Sequence, residues 1–328
     1  MTANRTEDGD PAIRKVQRTG GSTFTVSLPK DWARGQGLTA GATVYLYAFE
    51  DRVVVAPTER AEGERRTRVR VDGLELGAVA RRIRQAYAAG SDAVIVEASG
   101  GLSTEQRRAA TDAITDLVGM RVAAESADGL EARSMLDPSA VSLAQTLAQL
   151  RQLVLTMLRE AIEALRADDA ALAATARGRA EDVDRLVALV CRQFQGALVD
   201  VREVDQLEGD RSRAYRHVRL ARGLDRIADA AGRIAAVAAE QDTPPEGAVN
   251  EAVGAAGQAV RDAVVSALGE EPATVERGEH ASEPLAELDA ALAATADPDC
   301  HRYGRVLEAL SLVAARSRTL ATLGLDDG

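Results

Sequence analysis

Apolar positions over the C-terminal two-thirds of the chain recur at steps of three and four, as they do in helices with one buried face. Leu143, Leu147, Leu150, Val154, Met157, Leu158, Ile162 and Leu165 form one such stripe. The pattern restarts at Asp168 or Asp169 and runs through Leu172, Val183, Leu186, Val190, Phe194 and Leu198 as a second helix. Tyr215, Val218, Leu224, Ile227, Ile234 and Val237 mark a third, and the Thr243-Pro244-Pro245-Glu246-Gly247 break closes the set. Three more helical stretches follow, over 249–268, 282–295 and 301–323. Two successive groups of three predict a duplicated three-helix bundle, the first over 138–241 and the second over 246–325 with a shorter middle helix.

Upstream the period changes. Arg68 to Val71 reads as a strand, Leu74 to Ala89 as a helix closed by Gly90, and Ala93 to Ala98 as a buried strand. Ser103 with Gln106 three residues on is a capping box for a helix to about Val118. Met120 to Glu125 and Leu130 to Arg133 add strands, so 66–135 is predicted to be a small α/β connector domain built on a βαβαβ pattern. Residues 57–66 are polar and read as a linker. Ahead of it, Ser22 to Leu28 is a strand stopped by Pro29, and Lys30 to Gln36 forms one or two helical turns. Gly37 and Gly41 frame a turn, and Thr43 to Phe49 and Arg52 to Ala56 are strands about Glu50-Asp51. This piece, 11–57, is too small and too strand-rich to bury a useful core alone, so it is expected to dimerise. The fold class predicted is multidomain and mainly α.

Composition supports that class. Of 328 residues 46 % are hydrophobic but only 3 % aromatic, so the core must be Ala, Leu and Val packed in helices. No apolar run reaches the roughly 18 residues a membrane span needs, and Met1 to Asp10 is polar and acidic. A soluble, cytoplasmic protein is expected. Cys191 and Cys300 lack metal spacing and read as small core residues, and His217, His280 and His301 are scattered, which excludes a His/Cys zinc site. Gly100-Gly101 lacks the spacing of a nucleotide fingerprint and no Ser/His/Asp set exists, so no catalytic residue is proposed.

The net charge of −11 argues against nucleic acid until its distribution is read. Between Pro11 and Gln36 stand Arg14, Lys15, Arg18, Lys30 and Arg34 against Asp31 alone, and Lys15 and Lys30 are the only lysines of the chain. A basic patch on a β-rich dimer suits the DNA phosphate backbone, and Ser22, Thr23, Thr25 and Ser27 add hydroxyl donors. The same residues also suit a solvated strand face in a module used only for dimerisation. The phrase Arg14-Lys15-Val16-Gln17-Arg18-Thr19-Gly20-Gly21-Ser22-Thr23-Phe24-Thr25-Val26-Ser27-Leu28-Pro29-Lys30-Asp31-Trp32, with Gly41 and Val44, resembles the swapped-hairpin AbrB/SpoVT family. That resemblance implies two subunits interlocked in one barrel, with DNA contact at Arg14, Lys15, Arg18 and Lys30, and at Arg34.

Tyr215 through Ile234 is similar to the third-helix signature of PhoU, a family of phosphate-uptake regulators built as tandem three-helix bundles. The order of an AbrB-like module, an α/β connector and a bundle pair resembles archaeal PhoU-related proteins. The resemblance implies a dimeric regulator of phosphate uptake that acts on DNA, or else on a phosphate transporter ATPase or sensor kinase. It also implies a divalent or trivalent metal site, on an (Asp/Glu)-x-x-x-Asp motif. Asp225 and Asp229 keep that spacing, one helical turn apart, and Glu181, Asp182 and Asp184 are candidates to face them. A pair of carboxylates one turn apart beside arginines such as Arg222, Arg226 and Arg233 is more often a solvated charged face, and Glu308-Ala309-Leu310-Ser311-Leu312 lacks the second carboxylate in the second bundle.

Overall fold

The computed structural model describes residues 12–21, 23–48, 53–57, 64–136, 141–199, 211–245, 247–269, 281–295 and 300–323. The acidic start, Ser22, the turn at Glu50 and Asp51, the linker over 58–63, Asp137, Pro138, Glu246 and His280 lie outside the described residues. The chain divides into two units, Met1–Gly63 and Glu64–Gly328.

In the first unit the predicted strand at 22–28 shrinks to β2 (Thr23–Thr25), which pairs antiparallel with a strand absent from the sequence reading, β1 (Gln17–Thr19). Gly20 makes the hairpin possible, since the turn holds it at φ 73°. Pro29 then starts α1 (Lys30–Gly35), its fixed φ fitting the entry to a helix, and Gly37 follows the last turn at φ 69°. β3 (Tyr45–Ala48) and β4 (Val53–Ala56) form a second antiparallel pair. Among the described residues of this unit none is buried.

The second unit opens with a four-stranded sheet of β5 (Arg66–Arg70), β6 (Ala93–Glu97), β7 (Met120–Glu125) and β8 (Gly129–Ser134), in the order β5-β6-β8-β7. β5 and β6 are parallel, and β8 runs antiparallel to both neighbours. The last strand in sequence thus inserts between β6 and β7. Burial explains the swap: β8 carries the buried Leu130 and Ala132, whereas β7 is exposed from Ala123 to Glu125 and tolerates the edge. Helices α2 (Leu76–Ala88) and α3 (Thr104–Thr115) pack Val79, Ile83, Tyr87, Ala110 and Ile114 against Val69, Val94, Val96, Leu130 and Ala132. The Ser103–Gln106 capping box forms as the sequence predicts.

Seven helices follow among the described residues: α4 (Leu143–Ala167), α5 (Ala170–Gly178), α6 (Ala180–Val199), α7 (Arg211–Glu240), α8 (Gly247–Ala267), α9 (Ser282–Ala294) and α10 (Cys300–Ala321). Periodicity predicted a single helix over 168–198, but the structure breaks it at Arg179. At that break the Arg179 guanidinium donates twice to Glu160 of α4, at 2.8 and 2.9 Å. Glu160 is only 7 % exposed, so its charge needs this partner. The α4–α5 corner is equally local: Asp168 closes α4 in the left-handed region at φ 55°, and the Asp169 carboxylate accepts the Leu172 N–H at 2.9 Å to cap α5.

The first group, four helices (α4 to α7) because of the break at Arg179, and the second, α8 to α10, share one core. Leu150, Met157 and Leu165 of α4, Leu224, Ile227 and Ile234 of α7, Val253 and Val260 of α8, and Val306, Leu310 and Val313 of α10 form a single buried cluster. Gly257 lets α8 approach α4, where a methyl group would sit 2.9 Å from Ile162, and Gly223 of α7 faces Leu320 of α10 more closely still. No helix among the described residues is long and apolar enough to cross a membrane.

Candidate functional site

Among the described residues of the first unit, Arg14, Lys15, Arg18, Lys30 and Arg34 are exposed. Arg14 and Lys15 precede β1, with Arg14 donating to the Ile13 carbonyl at 2.8 Å, and Arg18 lies within β1 and reaches the Gly21 carbonyl at 2.7 Å. Lys30 and Arg34 are one turn apart on α1 and so share a face. Beside these charges stand large apolar side chains open to solvent: Ile13 is 87 % exposed, Phe24 72 %, Leu46 65 %, and Trp32 37 %. The described part of this unit therefore presents apolar side chains that water disfavours beside well-hydrated positive charges.

In the first bundle Asp225 and Asp229 lie on α7 as the spacing predicted, and α6 brings Asp184 to them. Burial pushes the Asp225 carboxyl above the usual carboxylate range, and the neighbouring Asp229 and Asp184 carboxylates push it further. Asp184 is raised by burial as well, with Arg84 pulling the other way and Asp229 adding to the rise. Glu181 is exposed and Asp182 pairs with Arg185 on its own helix, so neither joins the group. Arginines meet the other carboxylates: Arg84 of α2 pairs with Asp184, and Arg226 pairs with Asp229 at 3.1 Å. Among the described residues no group of three or more His, Cys, Asp or Glu is placed to hold a metal ion. Two of these carboxylates, Asp184 and Asp229, thus have guanidinium partners. Glu308 of the second bundle is exposed, between helix positions whose neighbours Ala309 and Leu310 are buried.

Sequence reasoning missed a second polar centre at the other end of the α2–α6 contact. Arg192 of α6 is 8 % exposed and donates to the Ser91 carbonyl and, at 3.2 Å, to the Asp92 carboxylate. Its guanidinium carbon lies 4.9 Å from the centre of the Tyr87 ring, a cation–π contact. Arg65 reaches the same Asp92 through its backbone N–H and its side chain, at 3.0 and 3.1 Å. Burial alone would push the Asp92 carboxyl up, but the Arg65 hydrogen bonds and the two guanidinium charges hold it below the usual range. Burial also pushes the Tyr87 hydroxyl up to about 12 while it donates to the Val118 carbonyl at 2.9 Å. The signal for this centre was in the chain: Arg192 is a lone charge inside the apolar run of α6.

Comparison with protein families gives two matches. Residues 147–238 match the PhoU domain, and residues 17–63 match the antidote-toxin recognition domain MazE of bacterial antitoxins. The chain thus carries a PhoU domain behind an N-terminal MazE/AbrB-like domain, as the two resemblances anticipated. Characterised proteins and solved structures give no match.

Proposed function

We propose that this chain, with a PhoU domain and a MazE/AbrB-like domain in one polypeptide, is a non-catalytic, homodimeric regulator of phosphate uptake that binds DNA. The observation that carries the reading is the pairing of exposed apolar and basic surfaces in the first unit. Phe24, Val26, Leu46 and Val53 are open to solvent in one copy, and a second copy is what can bury them. Arg14, Lys15, Arg18, Lys30 and Arg34 then occur twice, related by a two-fold axis, which suits a site of two half-sites. The helical unit supplies the phosphate-linked signal, through the family it matches over 147–238.

Fluorescence anisotropy with DNA from phosphate-transport promoters and from the chain's own promoter, at several salt concentrations, tests this. Affinity falls steeply as salt rises, and Arg14→Ala with Lys15→Ala reduces the slope of log affinity against log salt by about 2, one lost phosphate contact for each charge. Absence of binding to both promoters at low salt overturns the DNA reading. In that case co-purification from phosphate-replete and phosphate-starved cells asks whether a transporter ATPase or a sensor kinase is the partner.

A further inference from the structure

The carboxylates of α6 and α7 and the polar centre at Arg192 belong to one arrangement. Asp184 and Arg192 are eight residues apart on α6, about two turns, which puts both toward the same side of the helix. That side meets α2. At one end Asp184 takes the Arg84 guanidinium; at the other, Arg192 takes the Ser91 carbonyl and Asp92 just beyond the end of α2. Between the two ends the contact is apolar, with Ala188 and Leu189 of α6 in the same buried cluster as Ile83, Ala86 and Tyr87 of α2. Three carboxylates within reach of each other repel, and need positive charge from somewhere. Arg84, Arg222 and Arg226 act on them, and only Arg84 comes from outside the bundle. A guanidinium is suited to the task because it is permanently charged and presents several N–H donors in a plane.

We propose that Asp184, at the edge of the carboxylate group of α6 and α7, is the docking point of helix α2, with the Arg84 guanidinium as the cation that it holds where related bundles are expected to hold metal. That contact is then an internal interface that fastens the sheet to the first bundle. A metal ion taking Asp184 together with Asp225 and Asp229 has to displace Arg84 and free one end of α2, so the two occupants exclude each other.

The test uses the full chain and two readouts: Mn2+ uptake by equilibrium dialysis with elemental analysis, and amide hydrogen exchange along α2. Wild type takes up no stoichiometric Mn2+. Arg84→Gln exchanges its α2 amides about tenfold faster, while those of α8 on the far side of the core keep their protection. Asp184→Asn gives the same loosening, and the double variant is no looser than either single one, because the two residues act as a pair. If Arg84→Gln does not fold, Arg84→Lys keeps the charge, loses the planar fork and loosens α2 by about threefold. Stoichiometric Mn2+ in wild type that Asp225→Asn abolishes overturns the proposal. So does an Arg84→Gln chain, or in its place an Arg84→Lys chain, whose α2 amides are as protected as those of wild type.

Discussion

The two units solve the same problem in opposite ways. Glu64–Gly328 encloses most of its apolar side chains: its helices bury Leu224, Ile227 and Leu310 completely, and its sheet buries a second cluster with α2 and α3. The first unit has comparable residues, Phe24, Val26, Leu46 and Trp32, and leaves them open. Chain length decides the difference. A few short strands and one short helix cannot wrap around a core, whereas helices of 20 to 30 residues can. The described residues of the first unit thus leave apolar side chains without a core of their own, whereas the second unit encloses one.

The largest effect is expected where the closed core is cut. Leu224→Ala removes a fully buried side chain and costs about 3 kcal/mol in urea unfolding followed by circular dichroism at 222 nm, which the helices dominate. Arg192→Met comes next, at about 2 kcal/mol by the same measurement, because Asp92 and the Ser91 carbonyl lose a buried charged donor. Phe24→Asp reverses the pattern. Helical stability changes by no more than about 0.5 kcal/mol, since Phe24 is exposed and is not a member of that core. The concentration at which Trp32 emission reports dissociation rises by about tenfold, a shift that dilution followed by fluorescence can read. Trp32 is the only tryptophan, so this signal belongs to the first unit alone. If dilution leaves Trp32 emission unchanged in wild type, the contrast between an open and a closed unit fails.

The smallest effect lies in pH. Asp92 is held below its ordinary range in the folded state, so its contribution is full above the ordinary carboxylate pKa of about 3.9 and is lost as pH falls through the folded value. Asp92→Asn is less stable than wild type near neutrality, and the difference closes as acid is added. Asp225 runs the other way. Its folded pKa is raised by burial and by Asp229 and Asp184, so its charge is a burden above that value and is relieved as pH falls through it. Unfolding midpoints of Asp225→Asn and wild type at neutral pH check the sign: the variant is at least as stable.

Much of the closed unit was legible because its apolar residues obey one period for many turns. The α4, α7, α8 and α10 stripes follow from leucines and valines at three- and four-residue steps, and the capping box at Ser103 places α3 without any tertiary information. What was hidden depends on partners distant in sequence. The break at Arg179 arises because Glu160, nineteen residues earlier, is buried and takes the arginine; a helical period runs straight through such a site. The β5-β6-β8-β7 order could not be read from alternation, which tells that a strand is half buried but not which neighbour it chooses. The strand β1 is missed for a related reason: Gln17, Arg18 and Thr19 are all exposed, so no apolar alternation marks them. In the candidate site, Asp225 and Asp229 were legible as a one-turn pair, whereas Arg84 reaches Asp184 across one hundred residues of chain.

The shared core of the two helical groups has a calorimetric consequence. A duplicated architecture suggests two melting units, yet Gly257 against Ile162 and Gly223 against Leu320 tie each group into the interior of the other. Neither half can lose its packing without exposing the apolar side of its neighbour. Heating should give one endotherm for the seven helices, with a calorimetric enthalpy equal to the van't Hoff value. The repeat seen in the sequence is then a record of how the helices are ordered along the chain, and cooperativity belongs to the whole of them.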